Sequence, residues 1–309
     1  MENLSKKISD KRDIKDATLK NYLRNINLLA KRITGKEFKS VAFLNDYAKV
    51  KKELKNISLS TQKTYLASII VALDAIGAKD DTTLNKYKVL LQDTKSVYNE
   101  DKNGREKNAK EKGEWVSIKD LEKVLKKLGR EVRERNIGKK DELNKADMKL
   151  LQKFVVASLY LLDNDPRRNV YATMDIIKEG DTTEKGKNYL IVKGRNKKSF
   201  FIQDQKSKKF KDPQKLPVNK KLNKVLNLWL KYNKTSHLIL DSRGNKMNRN
   251  QLTKYLNNIF SGTGKKISTT MIRKIFLSNE YGSTLSNMEE TANNMGHTTK
   301  TAQKNYIKK

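Results

Sequence analysis

Residues 18–33 carry Leu19, Tyr22, Leu23, Ile26, Leu29 and Ile33, and residues 61–76 carry Tyr65, Leu66, Ile69, Ile70, Leu73 and Ile76. Steps of three and four put each set on one helical face, and such a face must be buried against another element. The openings TLKNYLRNI (18–26) and TQKTYLASI (61–69) share Thr, Lys, Tyr, Leu and Ile at identical offsets. They are either a faint duplication or two helices with similar starts. The spacing predicts a compact helical bundle over residues 1–98, of about four helices.

Residues 99–114, NEDKNGREKNAKEKGE, have almost no apolar side chain and read as a charged linker. A new start signal follows, because Ser117 and Asp120 form a capping-box pattern ahead of Leu121, Val124, Leu125 and Leu128. An apolar helix is expected over 147–162. The period then changes, and NYLIVKG (188–194), KSFFIQ (198–203) and QKLPVN (214–219) read as three short strands joined by charged turns. Helical spacing resumes at 220–232 and runs to the end, with Ser286 and Glu289 as a further capping box. The expectation is a mainly α chain with a small antiparallel β-sheet, in two domains, 1–98 and 115–309.

The charge constrains partners. Sixty-eight Lys and Arg against thirty-five Asp and Glu leave +33, spread along the chain. A positive field of that size favours a polyanion, above all nucleic acid; an anionic membrane surface is the weaker competitor. An AT-rich coding sequence would also inflate Lys. The absence of cysteine excludes disulfides and cysteine-ligated metal and fits a reducing compartment. The longest apolar run, FVVASLYLL (154–162), is too short to cross a bilayer, and MENLSKKISDKRD lacks the apolar core of a signal peptide. A soluble intracellular protein is expected.

Several residues of the second domain suit a phosphodiester. DPRRNVY (165–171) places two adjacent arginines past an apolar helix, and TTMIRKIF (269–276) places Arg273 early in another. A guanidinium binds two phosphate oxygens at once, and two of them from separate elements can stabilise a pentacoordinate transition state. Near the C-terminus, GHTTKTAQKNY puts His297 nine residues ahead of Tyr306. On one unbroken helix the two would face opposite ways, so sharing a site requires a turn, which a cap at Thr298 or Thr299 permits. His297 can donate to a phosphate oxygen, and Tyr306 can attack phosphorus if cations lower its proton affinity. A lysine in DQKSKKF (204–210) can protonate a leaving 5′-oxygen. Taken singly, each of these residues has a plain structural or solvated reading.

In this order the chain resembles the tyrosine recombinase (phage integrase) family. The series Arg, Lys in a strand turn, a box ending in Arg, Gly-His and Tyr is that family's catalytic series, and MGHTTKTAQKNY (295–306) is its most specific match. PRRNVY is similar to variants in viral and virophage-like integrases. The resemblance implies Tyr306 as nucleophile, Arg167 and Arg273 as phosphate ligands, His297 as a further donor and Lys206 as general acid. Lys208 and Lys209 compete with Lys206, and Arg168 with Arg167. It also implies a helical core-binding (SAM-like) domain at the N-terminus, matched by Ser60, Thr61 and Tyr65, and a catalytic domain over 115–309. The expected reaction forms a 3′-phosphotyrosyl bond on double-stranded DNA, without metal or other cofactor, and exchanges strands in a tetramer through a four-way junction. Accessory DNA-bending proteins are possible partners, and location follows the target DNA, in cytoplasm or nucleus.

Three departures stand out. Val170 occupies the place three after the first arginine, where the family commonly has an acid. Thr270 stands where its box usually begins with histidine, and can donate a hydrogen bond but not a proton. Only Ile307, Lys308 and Lys309 follow the tyrosine, too few to pass a C-terminal segment to a neighbour. Two other readings are a type IB topoisomerase-like enzyme and a catalytically silent DNA-binding relative.

Overall fold

The computed structural model describes residues 1–77, 82–103, 107–162, 165–204 and 212–303, leaving aside the side chains of 101–103. They form two units, Met1–Asn108 and Ala109–Lys309.

The first unit is helical: α1 (Glu2–Lys11), α2 (Asp16–Thr34), α3 (Tyr47–Lys55), α4 (Leu59–Ala75) and α5 (Thr82–Asn103), with a 3-10 turn at Val41–Asn45. Its core is built from the two stripes, with Ile26 and Leu29 of α2 meeting Leu66, Ile69 and Leu73 of α4. Inside the α2–α4 seam, Asn25 Nδ2 donates to Ser68 Oγ at 3.0 Å, so the buried amide is satisfied rather than orphaned. Tyr87 of α5 is fully buried and donates to the Leu44 carbonyl at 2.7 Å, fastening α5 to the 3-10 turn.

Of the stretch 99–114, residues 99–103 are the end of α5 in the first unit, 107–108 are non-helical, and the second unit opens with α6 (Ala109–Glu114). Acids of α6 explain its order: Glu114 accepts the Lys266 backbone N–H, and Glu111 pairs with Lys274. The capping box at Ser117 and Asp120 forms with both reciprocal bonds and opens α7 (Ile118–Glu134). α7 packs on α8 (Lys145–Leu161), the apolar centre of the unit. Gly129 permits that approach, since a Cβ there would stand 3.1 Å from the Phe154 ring. The fully buried Trp229 of α9 (Lys220–Tyr232) donates Nε1–H to the Leu238 carbonyl at 2.9 Å. α10 (Arg249–Ile259), α11 (Thr269–Asn294) and the short α12 (Thr299–Thr301) follow.

The three expected strands form the small sheet with antiparallel pairings, and a fourth, unexpected strand joins them. The sheet has four strands in the order β1 (Asp175–Lys178), β2 (Tyr189–Val192), β3 (Lys198–Ile202) and β4 (Gln214–Pro217), and it is mixed. β1 runs parallel to β2, with Ile176 opposite Leu190; the other two pairings are antiparallel, with Leu190 opposite Phe200 and Phe200 opposite Leu216. β1 is held on its outer side by the chain around His237: Ile176 N–H donates to the Ser236 carbonyl at 2.7 Å. Asp175 also accepts from Lys246 at 2.6 Å and lies 2.8 Å from His237 Nδ1.

A correction concerns α11. Ser286 and Glu289 do not start a helix; both lie inside one continuous helix from Thr269 to Asn294, where Ser286 Oγ donates to the Gly282 carbonyl at 3.0 Å. Only the first two turns and Ala292 are buried.

Candidate active site

The two adjacent arginines sit on a turn whose backbone is held from two sides. Tyr160, buried at the end of α8, donates its hydroxyl to the Arg168 carbonyl at 3.3 Å. Burial raises the Tyr160 phenol above its usual value, so it serves as a donor. Its ring meets Tyr171 edge-on at 5.4 Å, and Tyr171 meets Phe200 of β3 at 5.3 Å. On the other side, Asn169 Nδ2 donates to the Arg249 carbonyl and to Thr253 Oγ1, both at 3.1 Å, which ties the turn to the first turn of α10. Val170 packs apolar against the core. What steadies the turn on the α10 side is therefore the Asn169 amide, not a carboxylate.

Arg167 is half-buried, and its Nε is fully enclosed without a hydrogen-bond partner. Arg273 is half-buried on the second turn of α11, whose start is capped by Ser268 Oγ accepting from Met271 N–H at 3.3 Å. Burial, and after it the positive charge of Arg168, push Arg273 below the ordinary guanidinium value. Arg168 and Arg273 thus face each other closely enough to repel. Among the described residues none of Arg167, Arg168 and Arg273 has a carboxylate partner. Arg168 and Arg273 are like charges close together without a counter-ion, and Arg167, next in the chain, carries an enclosed unpaired N–H; groups of this kind suit an anion with several acceptor oxygens. Thr270, exposed one helical turn before Arg273, shares its face and can add a hydroxyl donor.

Two groups beside this cluster gave no signal in the sequence reading. Arg249, at the start of α10, pairs with Asp204 just past β3, and Gln203 and Asp204 N–H both donate to Asn188 Oδ1 at 2.9 Å. These bonds bring the chain that leads into Lys206 to α10, whose Arg249 carbonyl holds Asn169. Lys206, Lys208, Lys209 and Tyr306 themselves lie outside the described residues.

His297 is placed elsewhere. α11 ends in a Schellman turn: Gly296, at φ +73°, donates N–H to the Asn293 carbonyl at 2.9 Å, and His297 N–H donates to Ala292 at 2.8 Å. A side chain other than glycine would be strained at that φ, which is the physical reason for Gly before His. Thr298 then caps α12, its Oγ1 accepting from Thr301 N–H at 3.1 Å, so the expected turn after His297 is present. His297 lines a recess with Met288, Thr291, Ala292, Met295 and Ala302. At about 1.5 Å per residue, α11 separates Arg273 from Asn294 by roughly 30 Å. The structure brings Arg168 to Arg273 and leaves His297 at the far end of the helix. Among the described residues no group of His, Asp and Glu is placed to hold a metal ion, and no helix is long and apolar enough to cross a membrane.

No protein-family profile matches the chain, and no curated protein sequence matches it. Among solved structures, the crystal structure of XerA recombinase is similar over 90% of this chain and 83% of that one, with 10% identity and a TM-score of 0.33. A superposition that loose carries no weight for fold or function. The fold rests on the elements described above: mainly helical, with one small mixed sheet in the second unit.

Proposed function

We propose that this chain is a DNA strand-breaking and rejoining enzyme of the tyrosine recombinase type. The observation that carries the reading is the pair Arg168 and Arg273, where burial and then the Arg168 charge lower the Arg273 guanidinium. Arg167, with its enclosed, unpartnered Nε, is next in the chain, and among the described residues none of the three has a carboxylate partner. In this reading the cluster grips the non-bridging oxygens of one scissile phosphate and stabilises the charge that grows on them. The Tyr306 phenolate oxygen attacks phosphorus, a 3′-phosphotyrosyl bond forms and the bond to the 5′-oxygen breaks. Lys206 supplies the proton that the leaving oxygen takes up. Attack by another 5′-hydroxyl on the phosphotyrosyl bond reverses the step and frees the tyrosine. The first unit and the charge of +33 supply binding to the duplex.

A catalytically silent DNA-binding relative is the second reading, favoured by Thr270, by Val170 and by the length of α11 between Arg273 and His297. Mass spectrometry after incubation with nicked duplex suicide substrates decides between them. A 3′-phospho-adduct on Tyr306 is expected. Tight binding with no adduct on any substrate supports the silent relative.

A further inference from the structure

We propose that the second unit carries a separate site for a small aromatic anion, a planar ring system bearing one carboxylate or sulfonate. The site is the cavity between α8, the turn at 240–247 and α10. It lies apart from the arginines: Tyr255, which lines it, is about 200° around α10 from Thr253, which holds the Asn169 amide. The proposal does not depend on the reaction read above.

Its first support is the shape and chemistry of the walls. Gln152 of α8 donates Nε2–H to the Leu240 carbonyl at 3.0 Å and accepts the Leu240 N–H at 2.9 Å, which pins the turn to α8. The space left between them is about 550 Å³, within the range of small-molecule sites and far above a packing fault. Half-buried Met148 and Tyr255 line it, with the more deeply buried Met247 and Trp229 beneath. The polar atoms of these walls are turned away or already engaged. Both ends of the Gln152 amide are committed to Leu240, Trp229 Nε1–H to Leu238, and the Tyr255 hydroxyl is enclosed behind its ring. Two aromatic faces and two thioethers therefore meet the occupant, and both favour a flat aromatic body.

The second support is the charge at the rim. Lys145, Lys149 and Lys153 recur every four residues along one face of α8, and all three line the cavity. Acids close by do not neutralise them. Asp147 is spent on Lys140 and Arg135, and Asp241, on the facing turn, accepts the N–H groups of Arg243 and Asn245 at 2.9 and 3.0 Å. The cations therefore face the mouth while the interior offers apolar surface, which is complementary to one anionic head on an apolar body. A bare inorganic anion would leave the apolar walls uncovered, and an uncharged hydrocarbon would leave the lysines unused.

Titrating the full-length chain with 8-anilinonaphthalene-1-sulfonate, a fused aromatic with one anionic group, tests this through the probe's fluorescence. Saturable one-to-one binding is expected, displaced by naphthoate and not by inorganic sulfate. Leu143→Trp fills the cavity and should abolish the saturable signal. Lys149→Gln with Lys153→Gln should weaken binding about fivefold. Lys52→Gln with Lys55→Gln makes the same charge change in the first unit and should leave binding unchanged. Far-UV CD confirms that each variant is folded, and if Leu143→Trp is not, the two lysine pairs decide. Equal weakening by both pairs would trace the binding to the general positive field and overturn the site. So would saturable binding that persists in folded Leu143→Trp, or a wild-type chain that never saturates. Displacement of the probe by duplex DNA but not by naphthoate would give this face to nucleic acid and overturn the proposal as well.

Discussion

Arg168 and Arg273, from a loop after α8 and from the second turn of α11, stand close enough that the charge of one lowers the proton affinity of the other. Folding has brought two cations together with no acid to relieve them, which is costly unless an anion arrives. Arg167→Ala, Arg168→Ala and Arg273→Ala are each expected to slow formation of the covalent adduct by about 100- to 1,000-fold. Affinity for intact duplex should change far less, since many other cations contact phosphates. Comparing single-turnover rates with filter-binding affinities checks this. Equal losses in both would reduce the cluster to a binding patch, and a loss confined to one of Arg167 and Arg168 would assign the clamp to that one.

Lys198 shows the opposite solution for a cation. It is 5% exposed at the start of β3, and burial pushes its ammonium below the usual lysine value. Its Nζ donates to the Arg195 carbonyl and Asn223 Oδ1, each at 2.9 Å, and to Asn227, with no carboxylate among them. These bonds fasten the β2–β3 turn to α9. Lys198→Met removes the donors and strands the two amide oxygens, so it should cost about 1–3 kcal/mol of stability. Urea denaturation monitored by Trp fluorescence measures it; no change would mean that solvent replaces the ammonium without cost.

The helices were legible because most of their periodic apolar stripes survive into the core: 220–232 is α9, the stripe at 18–33 lies within α2, and that at 61–76 runs through α4 to its C-cap, Ile76. β1 was not legible, because DIIK is too short to show alternation, and it is held by parallel pairing with β2 and by the chain near His237, which is far off in sequence. The continuity of α11 was misread for a related reason. Gly282, Ser283 and the Ser286–Glu289 pattern are local break signals, yet each costs a helix little, and none removes a backbone donor as proline would. In the candidate site, the arginines were legible as residue types in order. Their support by Asn169, Thr253 and Arg249 was not, because it joins positions about eighty residues apart that only the fold brings together.

Asp147 gives a pH prediction with a definite sign. It is buried in the first turn of α8, bonded to Lys140 at 2.5 Å and to Arg135 at 3.3 Å, and the Lys140 ammonium foremost holds its carboxyl below the usual carboxylate range. The folded state therefore holds this proton less tightly than the unfolded chain. The stabilisation is fully present above the unfolded value and is lost as pH falls through the lower, folded one. Asp147→Asn should lower Tm at neutral pH, and the difference from wild type should shrink on acidification below about pH 4. Calorimetric scans at stepped pH check it; a difference that stays constant with pH would remove the ion pairs from the account.

Gly282 decides whether α11 works as one rod. It lies at the middle of the helix, its φ is not positive, and a Cβ there would meet nothing within 4 Å. Glycine in such a place costs a helix about 0.5–1 kcal/mol relative to alanine, mostly because the unfolded chain is freer. Gly282→Ala should therefore raise stability by about that amount. If the working form keeps α11 straight, the same substitution leaves adduct formation unchanged or raises it. If the helix must break near Gly282 to fold His297 back onto its own arginines, alanine strengthens the rod and cleavage falls while Tm rises. Measuring both on one protein separates these cases: stability and cleavage rising together support the straight helix, and opposite signs support a hinge at this glycine.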